Sequence, residues 1–417
     1  MSQSVINLLS SSKANKILTA ILLILWILAL GTAVNRQLNE GSADFREFYR
    51  VTRETIYGDA NAGQGLRVAF TYPPFFHILV ACFSWLPLLE ASIFWFLFCS
   101  IAFWLSVLMT LKILEKNGNL PSFFFWAPLY VSLVIVLNDL VMGNSNLVVL
   151  FCIIGGIYLL KEKRDFWAGT VIAAGTAIKF LPGIFLFYFL IKKFYKASLG
   201  FIVGIMFFFL IVPIMILGLR DGTLLIENWS KQITPLVNGE NSDIWYKKND
   251  VYRGTNQSLL AVLNRFLRPI GAIKGRDPKG KVNFANLSPT TVNVIFVCLA
   301  LCLLGGSLLF LKFPIKENRD GFQIASECSV VIMLMLLLSK ITWVNYFVFM
   351  LLPNFVAFRI IAREGANSYK SSFTIKAIIL SIVFSLLGAH PIGQAYAMPL
   401  MGAISMVVPI IYNMRKM

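Results

Sequence analysis

"ILTAILLILWILALGTAV" (Ile17–Val34) contains no charged residue and no proline. A helix needs about 20 apolar residues to cross the hydrocarbon core of a bilayer, and this run reads as such a span. Lys13 and Lys16 stand ahead of it, as in a secretory signal. No small-residue cleavage site follows, and many apolar runs come after it, so a retained first helix is expected. The rest of the chain has the same character: of 417 residues, 58% are hydrophobic and 14% charged. Soluble domains average about 45–50% apolar and about 25% charged, so the balance excludes an ordinary soluble domain.

Outward from the first span, apolar segments recur at Phe75–Leu89, Ala91–Leu114, Phe123–Leu137, Leu147–Leu160, Phe166–Ile178, Ile184–Ile191 and Leu199–Leu217. After a polar stretch they resume at Val292–Leu311, Ser329–Leu338, Val344–Ile361, Ile375–Leu387 and Leu400–Tyr412. In lipid every backbone polar group needs a partner within the protein, which leaves helices or closed barrels. The runs lack the alternation of barrel strands. The expected fold class is therefore an all-α integral membrane protein, a multi-span helical bundle.

The net charge of +17 resides largely in short loops: Lys112–Lys116, Lys161–Arg164, Lys192–Lys196, Lys312–Arg319, Arg359–Lys376 and Arg415–Lys416. Basic loops mark the cytoplasmic face, so the charge sets orientation and does not imply a nucleic-acid partner. Both termini are then cytoplasmic, in a plasma membrane. Tyr72-Pro73-Pro74 reads as a helix boundary, and the piece from there to Leu86-Pro87 as a half-span or interfacial helix. About twelve crossings result, a tally that hydropathy alone fixes only to within one or two. With no internal repeat, residues 1–417 read as one integral domain. It has two large extracytoplasmic loops, Asn35–Thr71 and Arg220–Ser288. The six cysteines lie in or beside apolar segments without a CxxC pair, so neither a disulfide framework nor a metal site is expected.

This orientation gathers the unusual polar stretches on the extracytoplasmic side. They are Asp44, "NDLVMGNSN" (Asn138–Asn146), "KFLP" (Lys179–Pro182), "VYRGTNQSL" (Val251–Leu259), "SKITWVNY" (Ser339–Tyr346) and "GAHPIGQ" (Gly388–Gln394). Polar residues between helices are ordinarily solvated turns or caps. Lys179 and Lys340 are harder to dismiss, because a lone lysine at membrane depth is costly unless it snorkels or meets an anion. Arg253 sits similarly in the second loop, with Arg265 further along.

One acid and several bases on one face suit a reaction with an anionic lipid. In sugar transfer from a polyprenyl phosphate the leaving group is already competent, and Lys or Arg can hold its charge. The acceptor hydroxyl needs a base, and one carboxylate within hydrogen-bond reach suffices. Asp44, just beyond the first span, fits that base; Asp139 is a second candidate. Glu47, one turn on, reads as a solvated neighbour or an ion-pair partner of Arg50. Lys179, Arg253 and Lys340 are candidate contacts for the donor phosphate. Asn144, Asn146, Asn256, Gln257, Asn345 and Tyr346 are candidates for hydrogen bonds to sugar or phosphate. Of the two histidines, His77 lies in an apolar stretch and reads as structural, and His390 as a loop or capping residue.

Taken in order, several motifs resemble glycosyltransferase family 87. They are Asp44-Phe45-Arg46-Glu47-Phe48-Tyr49, Tyr57-Gly58, Tyr72-Pro73-Pro74-Phe75, Gly143-Asn144-Ser145-Asn146 and Lys179-Phe180-Leu181-Pro182. Asn256-Gln257-Ser258-Leu259 with Arg265, and Trp343-Val344-Asn345-Tyr346, complete the order. The resemblance implies a GT-C bundle with helical extracytoplasmic loops. It implies an inverting, metal-independent transferase that needs no cofactor and takes a polyprenyl-phosphate sugar, typically mannose, as co-substrate. The acceptor would be a lipid or glycan hydroxyl, and Asp44 the base. Two departures stand out. The family's Gly-Gln-x-Asn is Gly143-Asn144-Ser145-Asn146 here. Its Trp-x-His-Tyr is Trp343-Val344-Asn345-Tyr346, and Asn345 cannot titrate near neutral pH. A transporter or flippase of lipid-linked sugars is the alternative, although no inverted repeat is present. An O-antigen ligase or polymerase would rely on a histidine in a large outer loop, and Arg220–Ser288 has none.

Overall fold

A computed structural model describes residues 10–39, 43–58, 72–115, 121–238, 250–273, 280–311, 319–365 and 368–414. Parts of both expected outer loops, and Lys116, Lys312, Lys316, Arg415 and Lys416 of the basic loops, lie outside these. Among the described residues the regular elements are helices, joined by one isolated bridge between Asn256 and Trp343. Among the described residues, eight helices are long and apolar enough to cross a membrane, from Ser12–Asn39 to Tyr369–Leu387. Shorter apolar helices (Pro74–Ser84, Asn146–Lys161, Leu181–Ile191 and Met398–Met414) accompany them. The expected figure of about twelve also counted the shorter apolar runs, among them these helices.

Local chemistry explains where the helices depart from the apolar runs. Pro74 opens the Pro74–Ser84 helix as its first residue, where its missing N–H costs nothing. Its 11 residues are too few to span. The run expected at Ser329–Leu338 begins earlier, at Gly321, where the Asp320 side chain caps the Phe322 N–H at 3.2 Å. The first turns hold Gln323 and Glu327, joined by a 3.2 Å hydrogen bond, and their polarity hides this part of the helix from hydropathy. The polar stretch expected from Arg220 starts as helix, because Val212–Asn238 continues through it past a break at Gly218. A π turn at Phe207–Ile211 precedes that helix.

The chain divides into two compact units. The first comprises Met1–Thr19, Thr110–Ile135 and Lys247–Met417. Its central Gly321–Leu338 helix is buried along nearly its whole length. It packs against Leu259–Leu267, Pro289–Leu311, Leu351–Glu364 and Met398–Met414. In contrast, Pro289–Leu311 exposes Val294, Val297, Leu301 and Leu309, as a lipid-facing helix does.

The second unit comprises Ala20–Met109 and Val136–Tyr246. Its Asp165–Ile178 helix lies between Asn146–Lys161 and Tyr195–Met206. A Cβ on Gly169 would collide with the Ala197 carbonyl oxygen, and one on Gly200 with the Phe166 carbonyl oxygen. Small residues permit this backbone approach, the usual means of joining helices in lipid. The Thr170 hydroxyl lies 3.1 Å from the Gly200 carbonyl across the same contact. Gly200→Leu forces the helices apart, and such overpacking costs about 1–3 kcal/mol or more. The expected result is a lower unfolding midpoint in detergent by tryptophan fluorescence; an unchanged midpoint contradicts the packing.

Candidate active site

In the second unit, the Asp44–Tyr57 helix buries Phe45, Phe48, Tyr49, Val51 and Thr52 along one stripe. Phe45 stacks on Trp95 with ring centroids 5.1 Å apart. Asp44 is the first residue of this helix, where the partial positive charge of the helix end favours a carboxylate. Glu47 approaches Arg50 to 4.0 Å, one helical turn on.

The opposing wall is the turn after the Phe123–Met142 helix. Gly143 has φ 71° there, and the N–H groups of Gly143 and Asn144 both return to the Asp139 carbonyl. A Cβ at Gly143 would lie 2.6 Å from the Phe45 Cβ, so only glycine lets this turn reach the Asp44 helix. Gln37 braces the junction. Its Nε2 donates to the Met142 carbonyl at 3.1 Å, and its Oε1 accepts from the Arg46 N–H at 2.9 Å. Trp95 Nε1 donates to the Gly143 carbonyl at 2.9 Å.

Held this way, Asn144 Nδ2 donates to Asp44 Oδ2 at 2.7 Å. Lys179 leaves the Asp165–Ile178 helix in extended conformation. Its Nζ donates to Asn144 Oδ1 at 3.3 Å and to Asn146 Oδ1 at 2.8 Å. Asn146 Nδ2 in turn donates to Asp139 Oδ1 at 2.7 Å. The Tyr72 ring lies 5.4 Å from the Lys179 ammonium. Asp44, Asn144, Asn146 and Lys179, noted separately along the chain, thus form one network, and Asp139 joins it. Burial pushes the Asp44 carboxyl above its ordinary value, opposed by the Asn144 hydrogen bond and by the charges of Lys179 and Arg36. Burial pushes Lys179 down, against the pull of Asp139 and Asp44. The lysine was expected to offer its charge to a phosphate; here it is buried and engaged by two asparagines.

Arg253, Asn256, Gln257, Lys340, Asn345 and Tyr346 belong to the first unit. Asn256 Nδ2 donates to the Val251 and Lys340 carbonyls at 2.8 and 3.2 Å, and its Oδ1 accepts from the Ser258 and Thr342 N–H groups. Gln257 Nε2 donates to the carbonyls of Gly254 and Gln394. Both residues are fully buried, and their amides tie loops together. Arg265 is likewise buried and donates to the carbonyls of Ala395, Tyr252, Arg253 and Asn256. Asn345 and Tyr346 are buried in the turn Val344–Met350. Lys340 is exposed and Arg253 half-buried.

The histidines are placed as their surroundings dictate. His77 is buried with Nδ1 3.4 Å from the Thr52 hydroxyl, and His390 caps the Pro391–Ala395 helix by accepting from the Ile392 N–H. Sequence reasoning missed Gln37 and Trp95. The available signal was a polar residue ending the first apolar helix; Trp95 gave none inside its hydrophobic run.

A search of curated proteins found no match to the chain. The model of glycosyltransferase family 87 matches residues 70–339, well over half of it. Asn144, Asn146, Lys179, Asn256 and Arg265 fall inside the matched region, whereas Asp44 precedes it and Trp343–Tyr346 follow it. With apolar helices long enough to cross a membrane, and most of its length within that match, the chain belongs to glycosyltransferase family 87 and is a membrane glycosyltransferase.

Proposed function

We propose that the protein transfers a hexose, mannose in the first instance, from a polyprenyl-phosphate donor to a lipid or glycan hydroxyl, with inversion at the anomeric carbon. The architecture proposed is of GT-C type with about twelve crossings, in a plasma membrane. Both termini are cytoplasmic in this reading, and the reaction takes place on the extracytoplasmic face.

The observation that carries the reading is the Asp44 carboxylate: half-buried, at a helix N-terminus, with one oxygen held by Asn144. Asp44 takes the proton of the acceptor hydroxyl. The acceptor oxygen attacks the anomeric carbon, the bond to the phosphate oxygen breaks, and the electron pair leaves with the lipid phosphate. The phosphate needs no proton to leave, so one carboxylate is enough. Arg253 and Lys340, which reach solvent, are the proposed contacts for the phosphate charge. Asn345 orients by hydrogen bonding where the family pattern has a histidine. Tyr346 beside it supports the same turn.

The base must be ionised to act, and burial raises the Asp44 pKa. Its ionised fraction rises as pH rises through that raised value. Activity is therefore expected to fall on the acid side at a pH above about 3.9, the ordinary aspartate value. A pH–rate profile shows this limb directly.

The test of the whole reading is to supply the purified protein with polyprenyl-phosphate mannose and candidate acceptors. Product mass and anomeric configuration are then read by mass spectrometry and NMR. Inverted transfer supports the reading; transbilayer movement of the donor without transfer overturns it.

A further inference from the structure

We infer that Lys179 is a positioning residue for Asp44, acting through the side-chain amide of Asn144, whose orientation it imposes. The inference deepens the reading of Asp44 as the base and rests on it.

A terminal amide has an accepting oxygen and a donating nitrogen of similar shape, while a lysine ammonium only donates. The Lys179 ammonium lies within hydrogen-bond distance of Asn144 Oδ1 and Asn146 Oδ1. Both amides must therefore turn their oxygens toward it. Their nitrogens then point away, to Asp44 Oδ2 and to Asp139 Oδ1, each at 2.7 Å. One cation thus aims two amide donors at two carboxylates. Reversing Asn144 would set its nitrogen against the ammonium, donor facing donor, and its oxygen against the Asp44 carboxylate, acceptor facing acceptor.

Burial makes the arrangement binding. Asn144, Asn146, Lys179 and Asp139 are all buried, and an unmade hydrogen bond in such a place costs about 1–3 kcal/mol. Asp139 balances the lysine's charge from the far side. Asp44 faces a wider set of groups: Lys179, Arg36 from the first helix, Glu47 one turn on, Tyr72, and Asp139 through the network. With Oδ2 engaged by Asn144, Oδ1 is the oxygen left to meet the acceptor's proton.

The arrangement separates positioning from donor binding. Lys179→Met removes the cation that steers Asn144. The expected result is a kcat lower by about tenfold with the donor KM unchanged within about twofold. The acid limb of the pH–rate profile should rise by about one unit, because a nearby cation favours the ionised carboxylate. Lys179→Arg keeps the charge and the donors, and is expected to return the limb toward its wild-type position. Asn144→Asp is nearly isosteric and tests the same point if Lys179→Met folds poorly. It sets a second carboxylate against Asp44, so the limb should again move to higher pH. A raised donor KM with an unmoved limb in Lys179→Met would assign the lysine to the donor phosphate and overturn the inference. An unmoved limb in Asn144→Asp overturns it as well. Failure of the underlying reading looks different: Asp44→Asn would remain active and keep the wild-type profile, whatever Lys179 does.

Discussion

Asp44→Asn is expected to lower transfer by about 10²–10⁴-fold, the usual contribution of a positioned general base. The substitution keeps the shape of the side chain. Asn144 donates its nitrogen to position 44, so an asparagine there must offer its own oxygen in reply. Its NH2 group then faces the acceptor, where it can donate but cannot take a proton. The loss should appear in kcat more than in donor KM, and the residual activity should lack the acid limb. Turnover at the wild-type level on a confirmed substrate would show that another group accepts the proton. Asp139 is not a ready substitute, because it is buried at the far end of the network with Oδ1 engaged by Asn146.

Arg265→Leu carries the largest expected effect on stability. The guanidinium is fully buried and holds the carbonyls of Ala395, Tyr252 and Arg253 at 3.2, 3.1 and 2.9 Å, as well as that of Asn256. Hydrogen bonds to charged groups contribute about 1.5–3 kcal/mol each. Losing several at once costs on the order of 5 kcal/mol, a large share of the ~5–15 kcal/mol that holds a typical domain folded. The expected outcome is loss of monodisperse protein in detergent, or a sharply lower unfolding midpoint. Arg265→Lys should recover little, since a single ammonium cannot reproduce the planar fork. A leucine variant with a wild-type midpoint and a raised donor KM would instead place Arg265 at the phosphate.

The two substitutions separate what could be read along the chain from what could not. Membrane class was legible because it is a local property. An uncharged run such as Ile17–Val34 must hydrogen-bond within itself in lipid, and only a helix allows that. The acid beside the first span was legible for the same reason, as a charge where charge is costly. Helix ends were less so: Gly321 starts a buried helix whose first turns include Gln323 and Glu327, and polarity masks burial when the partners are unknown.

Partner choice across long separations was not legible. Asp44 and Asn144 stand 100 positions apart, and Gln37 reaches the Met142 carbonyl across 105. Nothing in the composition around Lys179 separates a phosphate ligand from a lysine committed to two asparagines, nor Asn256 and Gln257 as sugar contacts from braces of their own loops. A side chain's residue type states what it can donate or accept. Only the packed chain decides which groups stand within 3 Å of it, because that distance is set by the approach of distant helices, such as the one permitted by Gly143 against Phe45.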